Sequence, residues 1–155
     1  MSEVLQRVNR NQADRAKQGI VVFSRVGQRD LFASDTIRSA ENGWRLPIRN
    51  PFYTGTHLST LSALEVVVNG HPVPERETFI SLRGQVIPVA YAKNLHELWW
   101  AMGEVAEVHL TDPELAGVLL ARNDVHISID MRTTFSYGFP NDILPYRLTG
   151  ELGVA

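Results

Sequence analysis

At 155 residues, 44% of them hydrophobic and 21% charged, the chain has the length of one domain and the bulk composition of an ordinary globular protein. A formal net charge of −2 and a pI near 6.2 argue against nucleic acid as a partner, because that needs Lys and Arg clustered on one face. The absence of cysteine excludes disulfides, thiol nucleophiles and Cys-ligated zinc within the chain.

The first nineteen residues are rich in Arg, Asn and Gln. They lack the apolar core of a signal peptide, and no window approaches the ~20 apolar residues of a membrane span. A soluble, cytoplasmic protein with no membrane partner is expected. Val4, Leu5, Val8, Ala13 and Ala16 give only a weak helical stripe, so residues 1–19 read as a polar arm or short helix ahead of one domain over 20–155. Ile20 to Phe23 is a β-branched and aromatic run that reads as the first core strand. Asp30 to Ala33 and Thr36 to Arg38 look like short extended pieces.

Trp44, Leu46 and Ile48 alternate with Arg45, Pro47 and Arg49, a period-two pattern that predicts a half-buried strand, with Pro47 acceptable at an edge or a bulge. Pro51 and Gly55 bracket a loop carrying Phe52, Tyr53 and Thr54. Leu64 to Val68 reads as a strand, and Asn69-Gly70 supplies the two positive-φ residues of a tight type I′ hairpin. Thr78–Leu82 and Gln85–Val89 form a second hairpin around Arg83-Gly84, with Pro88 weakening its outer strand. Leu95, Leu98, Trp99 and Met102 stand at helical spacing and predict one or two helical turns between Asn94 and Gly103. Residues 104–110 then resume alternation, and Asp112 to Leu120 predicts a further helical turn or a crossing segment.

From Asp124 to Phe135, Val125, Ile127, Ile129, Met131 and Thr133 alternate with His126, Ser128, Asp130, Arg132 and Thr134, which predicts a long amphipathic strand. Residues 134–146 follow as an irregular loop. Short strands separated by turn chemistry, without βαβ alternation, indicate an all-β fold of antiparallel topology. The expected architecture is a two-sheet β-sandwich, of which the jelly roll is one form, with short helical turns and an N-terminal arm.

Catalytic machinery is not nominated by any motif. Among the five histidines, His57, His71, His96, His109 and His126, no two stand at His-x-His or His-x-x-x-His spacing, so a metal site within this chain has no local signal. His109 and His126 lie on strands and read as satisfied or solvent-facing. His57, in a loop beside Tyr53, suits either binding or a turn-stabilising hydrogen bond. The carboxylate pairs Asp112/Glu114 and Glu75/Glu77 read as solvated turns. There is neither a Gly-x-Ser-x-Gly elbow nor a phosphate loop. The aromatic rings Tyr137 and Phe139, with Asn141, suit a sugar or polyphenol face, or else an interface or a hydrophobic plug over the end of the sandwich. If Trp99 and Trp100 are extended, one is core and the other exposed.

The run from Trp44 to Ser59 (WRLPIRNPFYTGTHLS), the strand and turn from Leu64 to Pro74 (LEVVVNGHPVP), and the Trp99-Trp100 segment ahead of a long strand resemble, over about residues 20 to 139, the small β subunits of bacterial C-glycoside deglycosidases. The resemblance implies an obligate α subunit of TIM-barrel type that holds a divalent metal, manganese, and the main acid/base groups. It implies no cofactor and no catalytic residue in this chain. The joint reaction is cleavage of the carbon–carbon bond between an aromatic aglycone and a 3-keto sugar, the 3-keto C-glycoside being bound at or near the subunit interface. Arg45, Tyr53 and His57 match the family's loop pattern and are candidates for subunit docking or the pocket edge, with Trp99 and Trp100 beside them. Tyr137, Phe139 and Asn141 are candidates for closing over substrate. A stand-alone carbohydrate-binding sandwich and a noncatalytic assembly module remain the alternative readings.

Overall fold

A computed structural model describes residues 25–26, 29–51, 55–132 and 143–155. The expected arm over residues 1–19, the strand Ile20–Phe23, Tyr53, and the loop with Tyr137, Phe139 and Asn141 lie outside the described residues. The described chain is mostly β, with a few short helices.

Two hairpins form where the turn chemistry requires them. Asn69 and Gly70 take φ of 50° and 81° and join β6 (Leu61–Val68) to β7 (His71–Pro72). Arg83 and Gly84 take 49° and 82° and join β8 (Thr78–Leu82) to β9 (Gln85–Pro88). Positive φ at both central residues gives a turn whose twist matches that of the flanking strands. The long alternating run becomes β12 (Arg122–Arg132), with Val125, Ile127, Ile129 and Met131 buried and His126 exposed.

The remaining strands are β1 (Arg25–Val26), β2 (Arg29–Asp30), β3 (Thr36–Ala40), β4 (Gly43–Arg49), β5 (Thr56–His57), β10 (Trp99–Trp100), β11 (Val105–Leu110) and β13 (Ile143–Val154). One helical turn, α1 (Leu115–Val118), matches the turn expected after Asp112. Short 3₁₀ turns occupy Leu58–Thr60, Glu75–Glu77 and Val89–Asn94.

Nine strands join in the order β7-β6-β12-β13-β3-β4-β11-β8-β9, and two small ribbons pair β1 with β2 and β10 with β5. The large sheet is curled. Its two halves meet where β13 runs parallel to β3, through Gly153↔Thr36 and Val154↔Ile37. This parallel pair corrects the expectation of purely antiparallel topology. Hydrogen bonds from Gly153 N–H to Asp35 O (2.8 Å) and from Ala155 N–H to Ile37 O (3.0 Å) hold the join. Inward residues of both halves, among them Ile127, Ile129, Leu148, Leu46, Val108 and Ile80, form one core.

Local departures have physical causes. β4 lies inside the sheet, so Pro47 is not on an edge strand. It is tolerated because β3 pairs with β4 only as far as Arg45, and beyond that point the Pro47 carbonyl accepts Ala33 N–H at 2.9 Å. Pro88 does lie on the edge strand β9. A register shift opposite Asp130/Met131 leaves Ser62 as the extra residue of β6, so that Leu61 and Leu64 both point inward despite their odd spacing.

The helix expected between Asn94 and Gly103 is replaced by the end of a 3₁₀ turn, a loop and β10. Leu58 N–H donates to Leu98 O (2.7 Å) and Ser59 N–H to Leu95 O (3.2 Å), which commits this backbone to the neighbouring segment rather than to its own helix. The expected loop over 134–146 also ends sooner than the sequence suggests: β13 starts at Ile143, and Tyr146 is a buried strand residue.

Candidate functional site

Two groups of the sequence-selected residues are built by separate elements. In the first, β5 and β10 pair with His57 opposite Trp99 and Thr56 opposite Trp100. The His57 and Trp99 rings meet edge to face at 5.0 Å and 81°, a favoured aromatic geometry. Trp99 is 44% exposed, while Trp100 is fully enclosed; adjacent strand residues point to opposite faces. The Trp100 side chain is therefore part of the core, its indole N–H donating to Glu104 O at 2.8 Å. Gly55 leaves room for the indole: a Cβ at that position would lie 2.4 Å from the Trp99 ring where it now sits.

The turn from Trp100 to Glu104 is fixed from several directions. The buried Asn50 amide donates to Trp100 O at 2.9 Å. The Glu104 carboxylate accepts Ala101 N–H at 2.9 Å and an Arg83 guanidinium N–H at 2.7 Å, and Arg83 also donates to Trp99 O at 2.6 Å. Burial pushes the Glu104 carboxyl up, but the Ala101 N–H and Arg83 outweigh it and leave it below the usual value. Met102, 65% exposed, and Trp99 are presented by this braced turn. Beside it, residues 94–98 and Gln85 line an open cleft of about 530 Å³.

The second group lies on the outward face of the sheet. Arg45 on β4 stands opposite Arg38 on β3 and His109 on β11. Glu107 accepts from Arg38 at 2.5 Å and from Arg45 at 3.5 Å. His109 is 8% exposed, tilted against Phe79 with ring centroids 6.2 Å apart. Neither of its ring nitrogens, nor Arg45 Nε, has a hydrogen-bond partner among the described residues. This corrects the expectation of a satisfied or solvent-facing His109. Burial lowers its pKa, the Arg45 charge lowers it further, and Glu107 opposes both, so the ring is neutral near pH 7. His126 does behave as a surface residue, 3.1 Å from Asp124.

A third cluster escaped sequence reasoning. His71 Nε2 lies 2.7 Å from Asp112 Oδ2 and 3.9 Å from Glu114 Oε2, joining residues 41 apart in sequence. Asp112 is 5% exposed and is not the solvated turn residue expected. Its other oxygen accepts Glu114 N–H at 3.0 Å. Among the described residues this trio has the ligand types that could hold a cation, with its ligand atoms within 4.8 Å of one another. The direct His71–Asp112 bond makes it a closed polar strut as it stands. The only sequence hint was an acidic pair close to the end of an alternating run.

No helix among the described residues is long and apolar enough to cross a membrane. Comparison with curated proteins found no match. The family model for the C-glycoside deglycosidase beta subunit matches residues 24–137, spanning β4, the β5/β10 ribbon, β11 and β12. The chain belongs to the C-glycoside deglycosidase beta subunit family.

Proposed function

We propose that this chain is the smaller, accessory subunit of a heteromeric, cytoplasmic carbon–carbon lyase that removes an aromatic aglycone from a 3-keto C-glycoside. The observation that carries the reading is the family match over most of the chain, since a beta subunit implies an alpha partner. In this reading the alpha subunit is a TIM barrel that supplies manganese and the principal acid/base groups. The 3-keto group acidifies the neighbouring C2–H. A base takes that proton, the C1–aglycone bond breaks as the C1–C2 double bond forms, and the aglycone carbon receives a proton.

The accessory chain contributes contact surface. Arg45, Tyr53, His57 and Trp99 belong to subunit docking or the pocket edge, with the Trp100 side chain anchoring β10 in the core. Tyr137, Phe139 and Asn141 close over substrate. We read the curled sheet as a two-layered sandwich, with β7-β6-β12-β13 against β3-β4-β11-β8-β9, and the jelly roll as the form it takes.

The test is turnover of a 3-keto C-glycoside by the chain alone, by its alpha subunit alone, and by the mixture with and without manganese. Turnover confined to the metal-loaded mixture is the expected result. Full-rate cleavage by the isolated chain would refute the accessory role, and saccharide binding by the lone chain with no partner association would replace it with a carbohydrate-binding module.

A further inference from the structure

We infer that the outward face of β3, β4, β11 and β8, centred on Arg45 and His109, is the surface that receives a carboxylate-bearing segment of the larger subunit. The inference rests on the heteromeric reading above. Leu46, Ile48, Val108, Leu110, Ile80 and Leu82 are buried in the core, so Arg45, Arg49, Glu107, His109 and Phe79 project from the opposite face. The registers Arg38↔Arg45, Arg45↔His109, His109↔Phe79 and Phe79↔Pro88 line these residues up as one row across five strands. Glu107 and Val86 each stand opposite Ser81 in the next row.

Two features of this face ask for a ligand. A histidine on an outward strand position is 8% exposed, yet both its ring nitrogens and the adjacent Arg45 Nε go without hydrogen bonds among the described residues. Folded proteins rarely leave enclosed polar atoms unpaired, because the lost hydration is not replaced. The charge is also lopsided. Among the described residues Arg38 and Arg45 share the single carboxylate of Glu107, while Arg49 donates to the Gly103 carbonyl, in a chain whose net charge is −2. Glu107 is held closely by Arg38 and only loosely, at 3.5 Å, by Arg45. Arg45 therefore retains donors in the planar fork that suits a carboxylate, and the His109 ring, being neutral, has one N–H to add.

The surroundings favour a protein carboxylate over a small free anion. The cleft lined by Gln85 and residues 94–98 includes no residue of this row. The row itself carries Phe79 and Pro88, and beside it stand the partly exposed Val86 (46%) and Val105 (40%). Arginine and aromatic groups amid apolar side chains are the composition of a protein interface.

The experiment measures association of the full chain with its alpha subunit by calorimetry across ionic strengths from about 0.05 to 0.5 M. Wild-type affinity is expected to fall as salt rises. Arg45→Glu should weaken binding by about tenfold or more, whereas Arg122→Glu, at an exposed position on β12, should leave it unchanged. His109→Leu separates docking from folding. Removing unpaired nitrogens should leave the unfolding midpoint equal or higher, while binding weakens. Salt-independent affinity with both Arg45→Glu and His109→Leu binding like wild type overturns the inference and leaves the heteromeric reading standing. A homodimer of the lone chain abolished by Arg45→Glu would make a second copy the occupant and also overturn it. Absence of any complex between the wild-type chains overturns both readings together.

Discussion

Replacing Asp112 with alanine should cost this protein a substantial fraction of its stability, and the loss should disappear in acid. Asp112 follows β11, while its partner His71 begins β7 at the far edge of the other half of the sheet. The 2.7 Å contact between them therefore ties together parts that no hydrogen-bonded ladder joins directly. A hydrogen bond to an ionised group contributes ~1.5–3 kcal/mol. Losing the side-chain acceptor of Glu114 N–H at the start of a helical turn adds ~0.5–1 kcal/mol. Asp112→Ala should thus destabilise by about 2–4 kcal/mol, which for a domain of this length lowers the unfolding midpoint by roughly 5–15 °C. Burial pushes the Asp112 carboxyl up, but the His71 hydrogen bond, the Glu114 N–H and the charges of His71 and Arg76 prevail and hold it below its ordinary value. A carboxyl depressed in the folded state stabilises above its unfolded pKa, about 3.9, and loses that contribution as pH falls through the folded value. Urea unfolding of wild type, Asp112→Ala, His71→Ala and the double variant at neutral pH should give a coupling energy of about 1–3 kcal/mol. The gap between wild type and Asp112→Ala should close below about pH 4. A coupling near zero, or a gap that persists undiminished to pH 2.5, would show that the pair is a surface contact of no structural consequence.

Two glycines offer sharper geometric tests. At Gly43 the backbone takes φ of 150° and a Cβ would lie 2.0 Å from Leu110 O, so Gly43→Ala must part β4 from β11; a loss of at least ~2 kcal/mol in chemical denaturation is expected. At Gly55 the obstacle is the Trp99 ring itself. Gly55→Ala should swing that half-exposed indole away from His57, shifting its fluorescence while changing stability by less than ~1 kcal/mol, and weakening alpha-subunit binding if Trp99 is a docking contact.

What the sequence discloses and what it conceals divide along a physical line. Side-chain alternation is local, so the inward residues of β4, β6 and β12 can be read directly. Turn conformation is local too: Asn69-Gly70 and Arg83-Gly84 announce their hairpins because few residue pairs accept positive φ. Asn69 also illustrates the limit, since its amide donates to the Asn123 side chain at 2.8 Å and to Val118 O at 3.0 Å, partners about fifty residues away that no turn rule names. The same holds for the helix expected at 94–103. Helical spacing of Leu95, Leu98 and Met102 is real, but Leu58, Ser59 and His57 compete for that backbone and win. The parallel β13–β3 join, the His71–Asp112 pair and the Arg45–His109–Phe79 part of the row are all contacts between segments far apart in sequence. Alternation settles which face a residue occupies and leaves its neighbours open. Even so, one trace of the row is visible beforehand. Arg45 and Arg49 in one strand pattern, and Glu107 and His109 in another, fill outward positions with titratable or charged groups of complementary kinds. Pairing of β4 with β11 is the arrangement that sets Arg45 beside both His109 and Glu107, and the hydrogen bonds still missing there are what separates a solvated strand face from one that awaits a partner.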